Sequence, residues 1–377
     1  MDRNPITQEK AISVITPTQG RVHLIGRLLA SLYEARSSFR GESEVIIIDS
    51  SALQEAGKIQ ELCSRYDAKY VRGSKSVREK RNLGIKKARF DIILCIDSDC
   101  EADEGLLNQH LVTYEQYPEI AGCVGITRFR GDRTWIWKML EFTPFLDSFR
   151  FAEKYPYVMW APCSNLSFRK HAVESIGMFR TDWPFKLGGD DLDLSLRLTE
   201  AGFLIKSNER AIVYHTTETW NRLQSVLERI WRWGRMNFHI AQSHPYLLTH
   251  DIPRFPVIFA FVVAIALLSI PMHPLIGLAL PVIAILVFLL IYTIVVFMML
   301  GLRWSSSPYV LVSRALLVLF EFGRIYESVK YKDINLLFKR IIFSQDEITN
   351  GWGKEIVYAW ALLLTLAICV GILLLTV

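Results

Sequence analysis

Short runs of consecutive apolar residues alternate with stretches of helical periodicity through the first 250 residues. Residues 11–16 (AISVIT) form a β-branched run ending at Pro17, and a helical pattern covers 22–34. Residues 44–49 (EVIIID) predict a second buried strand, 53–66 a second helix and 69–72 a short third strand. A further helix over 80–88 and a fourth strand over 91–96 (DIILCI) follow. Continuous apolar strands separated by helices imply an α/β fold with a mostly parallel, Rossmann-like sheet covered on both faces. Ligands of such sheets sit beyond the carboxyl ends of the strands, which here carry Pro17, Thr18, Asp49, Asp97 and Asp99. Residues 121–244 are less regular, with a strand over 124–130 and many aromatic residues over 135–160.

The last third changes character. Residues 255–302 and 356–377 contain no Asp, Glu, Lys or Arg. A crossing helix needs about 20 apolar residues, so spans are expected at about 255–271, 275–300 and 356–376. Residues 308–320 are apolar but short and carry Arg314. If they crossed, Arg324, Lys330, Lys332, Lys339, Arg340 and Lys354 would face outward, against the positive-inside rule. Interfacial amphipathic helices are therefore expected within 308–343, with a fourth crossing as the alternative. The expected organisation is a cytoplasmic domain over 1–250 and a membrane domain over 251–377. The opening MDRNPITQEK has no apolar stretch of the kind a signal peptide needs.

Composition narrows the picture further. With 51% hydrophobic residues, intrinsic disorder is excluded. A net charge of +5 without a dense Lys/Arg stripe points away from nucleic acid and suits an anionic membrane surface. Cys63, Cys95, Cys100, Cys123, Cys163 and Cys369 form no CxxC pair and no zinc spacing, and are expected as packing residues in a reducing compartment.

The central chemical feature is Asp97-Ser98-Asp99, directly after an apolar strand. Two carboxylates one residue apart at a strand end can share a divalent cation, and such hard oxygen ligands suit Mg²⁺ or Mn²⁺ bridging to phosphates. Asp49 ends its strand at the same edge, either as a turn residue or as an acceptor for a nucleoside. Arg78, Lys80, Arg81 and Asn82 open the helix before the DxD strand, and read either as a solvated helix face or as a phosphate site, which basic groups and a helix N-terminus favour. Gly188-Gly189 then lets the chain bend before Asp190, Asp191 and Asp193 at a helix start. A carboxylate held there is well placed as a general base. His215, after an apolar strand, reads either as a core histidine or as a metal ligand. Arg229, Arg232 and Trp233 read as a basic juxtamembrane helix with an interfacial Trp.

Taken in order, these motifs resemble the family 2 glycosyltransferases of the GT-A fold in their membrane-anchored form, over roughly residues 11–240. Residues 13–18 (SVITPT) look like the family's first strand and nucleobase-side loop, with Pro17 and Thr18 on the donor. Asp49 matches its nucleoside-contacting acid, Arg81-Asn82-Leu83-Gly84 its RNxG helix start, and Asp97-Ser98-Asp99 its DxD. Asn165, in residues 165–169 ahead of Gly177, looks like part of the acceptor-side loop. Asp190-Asp191 sits at the ED motif, whose second acid is the catalytic base, and Arg229, Arg232 and Trp233 resemble QxxRW.

The resemblance implies inverting, metal-dependent transfer from a nucleotide-diphosphate sugar, UDP by default, to a lipid or lipid-linked glycan. Asp191 would be the base, and Asp99 with His215 would hold Mg²⁺ or Mn²⁺. Asp49, Arg78, Arg81 and Asp97 would line the donor, while Asp190 and the QxxRW-like residues would face the acceptor or diphosphate. It also implies an integral protein of a prokaryotic plasma membrane. The departures are Asp190 for Glu, Ser50 where a second acid often follows, and Arg229 for Gln. The last weighs against a processive polysaccharide synthase. A non-catalytic scaffold has no reason to keep Asp97, Asp99 and Asp191 together.

Overall fold

The structure, a computed structural model, describes residues 10–183, 188–250, 255–271, 273–300, 306–342 and 359–372. It divides into two compact units: Met1–Asp132 with Leu146–Thr219, and Arg133–Phe145 with Trp220–Val377. Compactness thus groups residues 220–250 with the apolar C-terminal part, whereas hydropathy changes near residue 250.

The first unit runs β1 (Ala11–Thr18), α1 (Val22–Ser37), β2 (Glu42–Asp49), α2 (Leu53–Arg65), β3 (Lys69–Arg72), α3 (Val77–Lys87), β4 (Ile92–Cys95), β5 (Cys100–Ala102), α4 (Leu106–Gln116) and β6 (Gly122–Arg130). After α5 (Trp135–Leu140), which belongs to the second unit, it resumes with α6 (Phe151–Lys154), β7 (Tyr157–Val158), β8 (Leu166–Arg169), α7 (Lys170–Ser175), α8 (Asp190–Glu200) and β9 (Ile205–Thr216). The sheet order is β3-β2-β1-β4-β8-β6-β9-β5, with β7 also on β9.

The sheet is mixed but mostly parallel, as expected, with β6 and β9 forming a second long parallel pairing. β3, β2, β1 and β4 are parallel, but β8 lies antiparallel between β4 and β6, and β5 and β7 are antiparallel to β9. Alternate residues of the apolar runs feed two cores. Ile12, Val14, Val45, Ile47, Ile92 and Leu94 face α1, α2 and α4, while Ile15, Ile46, Ile48, Ile93 and Cys95 face the opposite layer. Burial on both faces is why these strands read as continuous rather than alternating hydrophobicity. Pro17 is tolerated in β1 because the β4 pairing stops at Ile15.

In the second unit, α9 (Leu223–Ser243) is followed by β10 (Leu248–His250), α10 (Phe255–Ser269), α11 (Pro274–Leu300), α12 (Ser307–Lys330), β11 (Lys339–Ile341) and α13 (Ala359–Ile372). Among described residues one helix is long and apolar enough to cross a membrane, over Pro274–Val295; α10 and α13 are shorter apolar helices. Parts of the expected third span, 356–358 and 373–376, lie outside the described residues. The region expected to hold interfacial helices is one 24-residue helix, α12, then a 3₁₀ turn over Ile334–Phe338 and β11 antiparallel to β10. α9 and α12 approach through glycines, since a methyl built on Gly234 would overlap the Phe320 carbonyl.

Candidate active site

Strand register gathers the polar ends. Thr18 lies opposite Asp49, Asp49 opposite Arg72, and the Ile96 amide donates to the Ile15 carbonyl at 3.2 Å. Asp97-Ser98-Asp99 leaves β4 at the same edge. β5 then pairs antiparallel with β9, setting Cys100 opposite His215. Asp99 Oδ1 consequently faces His215 Nε2 at 3.3 Å, and Asp99 Oδ2 accepts from Arg21 Nη1 at 2.9 Å.

His215 Nδ1 lies 2.9 Å from the Thr216 carbonyl oxygen, which can only accept, so Nδ1 carries the proton. In the neutral ring, Nε2 then presents its lone pair toward a carboxylate oxygen, an arrangement that suits a bound cation. Phe129 packs over the ring at 5.2 Å between centroids. Asp99, Cys100 and His215 are all buried, with ligand atoms within 4.8 Å of one another. Burial and the adjacent Asp99 hold the Cys100 thiol well above its ordinary value, so it is no thiolate. The remaining carboxylate and imidazole suit a hard or borderline divalent ion.

The second acidic cluster begins α8. Gly188 and Gly189 adopt φ of 83° and 75°, a conformation open to glycine, and turn the chain into the helix. The three aspartates then do three different things. Asp193 is buried and holds Arg197 at 2.8 Å, which in turn donates to the Ile176 and Met178 carbonyls. Asp190 pairs with Arg81 Nη1, whose Nη2 reaches Asp97 Oδ1 at 3.1 Å. Asp191 accepts from the Leu192 amide at 2.9 Å and the Cys163 amide at 3.4 Å, and stays partly exposed. Burial, then the neighbouring Asp190 carboxylate, push Asp191 up to about 6. One buried guanidinium thus ties the DxD to the helix bearing Asp191. Asp97, Asp99, Asp190 and Asp191 stand against the guanidiniums of Arg21 and Arg81. Four carboxylates against two guanidiniums leave an acidic excess at this edge, which suits a cation.

Other expected donor residues are more internally engaged than expected. Asp49, fully buried, accepts from the Ser51 amide (2.9 Å) and hydroxyl, from Tyr70 (2.9 Å) and from Arg72 (3.1 Å). Arg78 is also buried and donates to the Trp183 and Gly188 carbonyls at 3.3 and 2.8 Å, so it fixes the backbone before α8 rather than facing a ligand. Arg81 likewise points at carboxylates. Lys80 donates to the Thr18 carbonyl at 2.7 Å and to Ser50 Oγ at 3.0 Å, and burial lowers its ammonium to about 8. Asn82 exchanges two bonds with the Phe179 backbone. Asn165, expected on the acceptor side, is buried: Nδ2 donates to the Ile126 and Ala211 carbonyls, and Oδ1 meets His110 Nε2 at 2.9 Å. It ties β8 to β6 and β9. Pro17 and Thr18 end β1 at the edge, as their position implies.

Arg229, Arg232 and Trp233 lie in the second unit. Arg229 stacks over Trp220 at 3.7 Å, Trp233 packs against Phe145 and Trp220, and Arg232 is exposed.

Residues 13–177 match the family model described as Glycosyl transferase family 2. Over that range, less than half of the chain, the sequence is similar to family 2 glycosyltransferases. The chain is 22% identical over 249 residues to "Chondroitin synthase" of Pasteurella multocida (strain Pm70), covering 56% of this chain and 25% of that protein. It is also 22% identical over 247 residues to "Poly-beta-1,6-N-acetyl-D-glucosamine synthase" of Staphylococcus aureus (strain COL), covering 62% and 55%. It therefore spans between a quarter and about half of these curated relatives. Among solved structures it resembles "Mannosyltransferase PcManGT from Pyrobaculum calidifontis in complex with GDP-Man and Mn2+", with a TM-score of 0.53, 14% identity, and coverage of 84% of this chain and 87% of that one. The fold of the glycosyltransferase domain is accordingly GT-A-like.

Asp190, Asp191 and His215 lie past the matched range and join the domain's DxD through Arg81 and β9. The sequence reading passed over Arg21, Tyr70 and Arg72. For Arg21 and Arg72 the signal was position, at or just beyond the end of a strand whose neighbour ends in a carboxylate; Tyr70 lies inside β3, two residues before its end.

Proposed function

We propose that this chain catalyses inverting transfer of a sugar from a nucleotide-diphosphate sugar to a membrane-associated acceptor, a lipid or lipid-linked glycan. The observation that carries this reading is the convergence of Asp97 and Asp190 on Arg81, which brings the DxD and Asp191 to one sheet edge. Asp191 is the general base. It is the least tied of the three α8 carboxylates, and an acid pushed up to about 6 is matched to accepting a proton near neutral pH. It takes the proton of the acceptor hydroxyl as that oxygen attacks the anomeric carbon.

Asp99 and His215 would hold Mg²⁺ or Mn²⁺, which when bound supplies neutralisation of the charge building on the departing diphosphate. Asp97 and Asp49, the latter with Tyr70 and Arg72, orient the nucleoside end, with Pro17 and Thr18 beside them. Arg81 and Asp190 position rather than bind. Arg229, Arg232 and Trp233 serve the acceptor side. UDP is the default base, and the GDP-mannose complex of the structural neighbour adds GDP-sugars to the donors worth testing.

The membrane reading places residues 251–377 in a prokaryotic plasma membrane, with α10, α11 and α13 spanning, α12 at the interface and the glycosyltransferase domain cytoplasmic. A second reading, polysaccharide synthesis, is favoured by the printed names of the curated relatives; product length on a gel separates it from single-sugar transfer. The test is donor binding and hydrolysis in detergent with a panel of UDP- and GDP-sugars, with and without Mn²⁺. Turnover of one donor only with metal supports the reading. Failure of every nucleotide sugar to bind under any metal condition overturns it in favour of a scaffold.

A further inference from the structure

β1 ends at Thr18, and the chain reaches α1 through Gln19, Gly20 and Arg21. Gly20 and Arg21 are both left-handed, at φ of 69° and 59°. That conformation is ordinary for glycine but disfavoured for a residue with a Cβ. Such residues persist where their surroundings over-determine them, and they cluster at functional sites. Here the Gly20 amide is anchored on Ser51 Oγ at 2.6 Å, and the Arg21 carbonyl accepts the first amides of α1, from Leu24 and Ile25. The result is to aim the Arg21 guanidinium at Asp99 Oδ2, the oxygen opposite the one facing His215.

Three observations set Arg21 apart from an ordinary surface ion pair. Its partner carboxylate is nine-tenths buried, whereas its own side chain is about half exposed, at 46%. With about half of its side chain open to solvent, the guanidinium has room to leave. It also sits at the positive end of a 16-residue helix with no acidic residue in its first turn, a place that favours anions. Finally, a cation held by Asp99 and His215 would share one carboxylate with Arg21, and the two like charges repel across it.

We propose that Arg21 is a donor-phosphate residue parked on the metal ligand. With no metal bound it neutralises Asp99; when cation and nucleotide diphosphate enter, its guanidinium exchanges the carboxylate oxygen for diphosphate oxygens, for which its planar fork is matched. This rests on the metal-dependent glycosyltransferase reading above. Arg21 therefore has two opposed effects, weakening the binding of metal alone and strengthening the binding of diphosphate with metal.

The experiment titrates Mn²⁺ into the detergent-solubilised full chain by electron paramagnetic resonance, alone and then with UDP or GDP. Arg21→Gln is expected to bind Mn²⁺ alone several-fold more tightly, and Mn²⁺-dependent diphosphate about tenfold or more weakly, the loss of one charged hydrogen bond. Arg21→Lys should keep the competition with Mn²⁺ but recover part of the diphosphate affinity. Arg27→Gln, which breaks exposed pairs with Glu101 and Glu218 on the same helix, should change neither, and melting curves confirm each fold. Weaker binding of Mn²⁺ alone in Arg21→Gln would make Arg21 a support for Asp99 and overturn the proposal. Unchanged Mn²⁺ and diphosphate binding in that variant overturns it too, while leaving the glycosyltransferase reading intact. Wild-type protein that binds neither Mn²⁺ nor a nucleoside diphosphate overturns both.

Discussion

Replacing Asp191 by Asn removes the proposed base while keeping its shape, and the structure predicts that the variant loses activity yet gains stability. General-base help is worth about 10²–10⁴ in rate, so kcat should fall by that order with the fold intact. The stability gain follows from the carboxyl's raised value. Folding moves it from 3.8 to about 6, because burial and the Asp190 charge penalise the anion in the native state. A carboxyl raised on folding costs nothing below about pH 4, where both states are protonated. The cost grows between pH 4 and 6 and is complete above. Two units correspond to roughly 3 kcal/mol, and the partial exposure of Asp191 reduces this to on the order of 1–2 kcal/mol. Asp191→Asn should therefore melt a few degrees above wild type at pH 7.5 and alongside it at pH 4.

The same shift appears in the kinetics. kcat/KM reports the free enzyme, so its acid limb should fall with an apparent value near 6, giving about a tenfold loss at pH 5. Asp190→Asn provides the internal control. It removes the like charge beside Asp191 and relieves Arg81 of one of its two acids, and both effects favour the Asp191 anion, so the acid limb moves to lower pH. A limb that stays fixed or moves upward would refute the electrostatic argument. An Asp191→Asn enzyme with near-normal turnover would remove the base assignment altogether.

Other perturbations test separate parts of the structure. Asp99→Ala should abolish the Mn²⁺ dependence of donor binding, read by calorimetry with and without metal; an unaltered metal requirement counts against its role. Lys80→Met leaves the Thr18 carbonyl and Ser50 hydroxyl without their buried donor, so a loss of about 1–3 kcal/mol is expected in denaturant titration. Gly234→Ala forces α9 and α12 apart at the Phe320 carbonyl, and should destabilise the second unit by about 1–3 kcal/mol; an unchanged melting temperature would contradict the crossing.

The parts of the fold legible in the sequence are those governed by local pattern. Three of the four parallel strands, β1, β2 and β4, could be read because each is an apolar run ended by a polar residue or proline, and their ends carry Thr18, Asp49 and the DxD. β5, β7 and β8 are two to four residues long, too short for a period to register, and β8 between β4 and β6 is a non-local pairing that only the assembled sheet reveals. Asn165 illustrates the same limit. It resembles a loop residue lining a site, but its amide is claimed by His110, 55 positions away, and by two carbonyls of neighbouring strands.

α3 shows why the roles of charged residues were harder to read than their presence. Its sequence, VREKRNLGIKK, looks like a solvated helix, yet Arg78, Lys80 and Arg81 are all buried on the face with Gly84 and Ile85. A helical period identifies that shared face without saying what it meets. It meets strand-end carbonyls and acids: Arg78 reaches Gly188, Lys80 reaches Thr18, and Arg81 reaches Asp97 and Asp190. The buried cations thus serve the protein's own polar groups, and a phosphate arriving at this edge needs a cation not already buried. Arg21, half exposed on the far oxygen of Asp99, has the freedom that the α3 cations lack. Substituting Arg81 should accordingly disturb the alignment and pH profile of Asp191, whereas substituting Arg21 should act on diphosphate affinity.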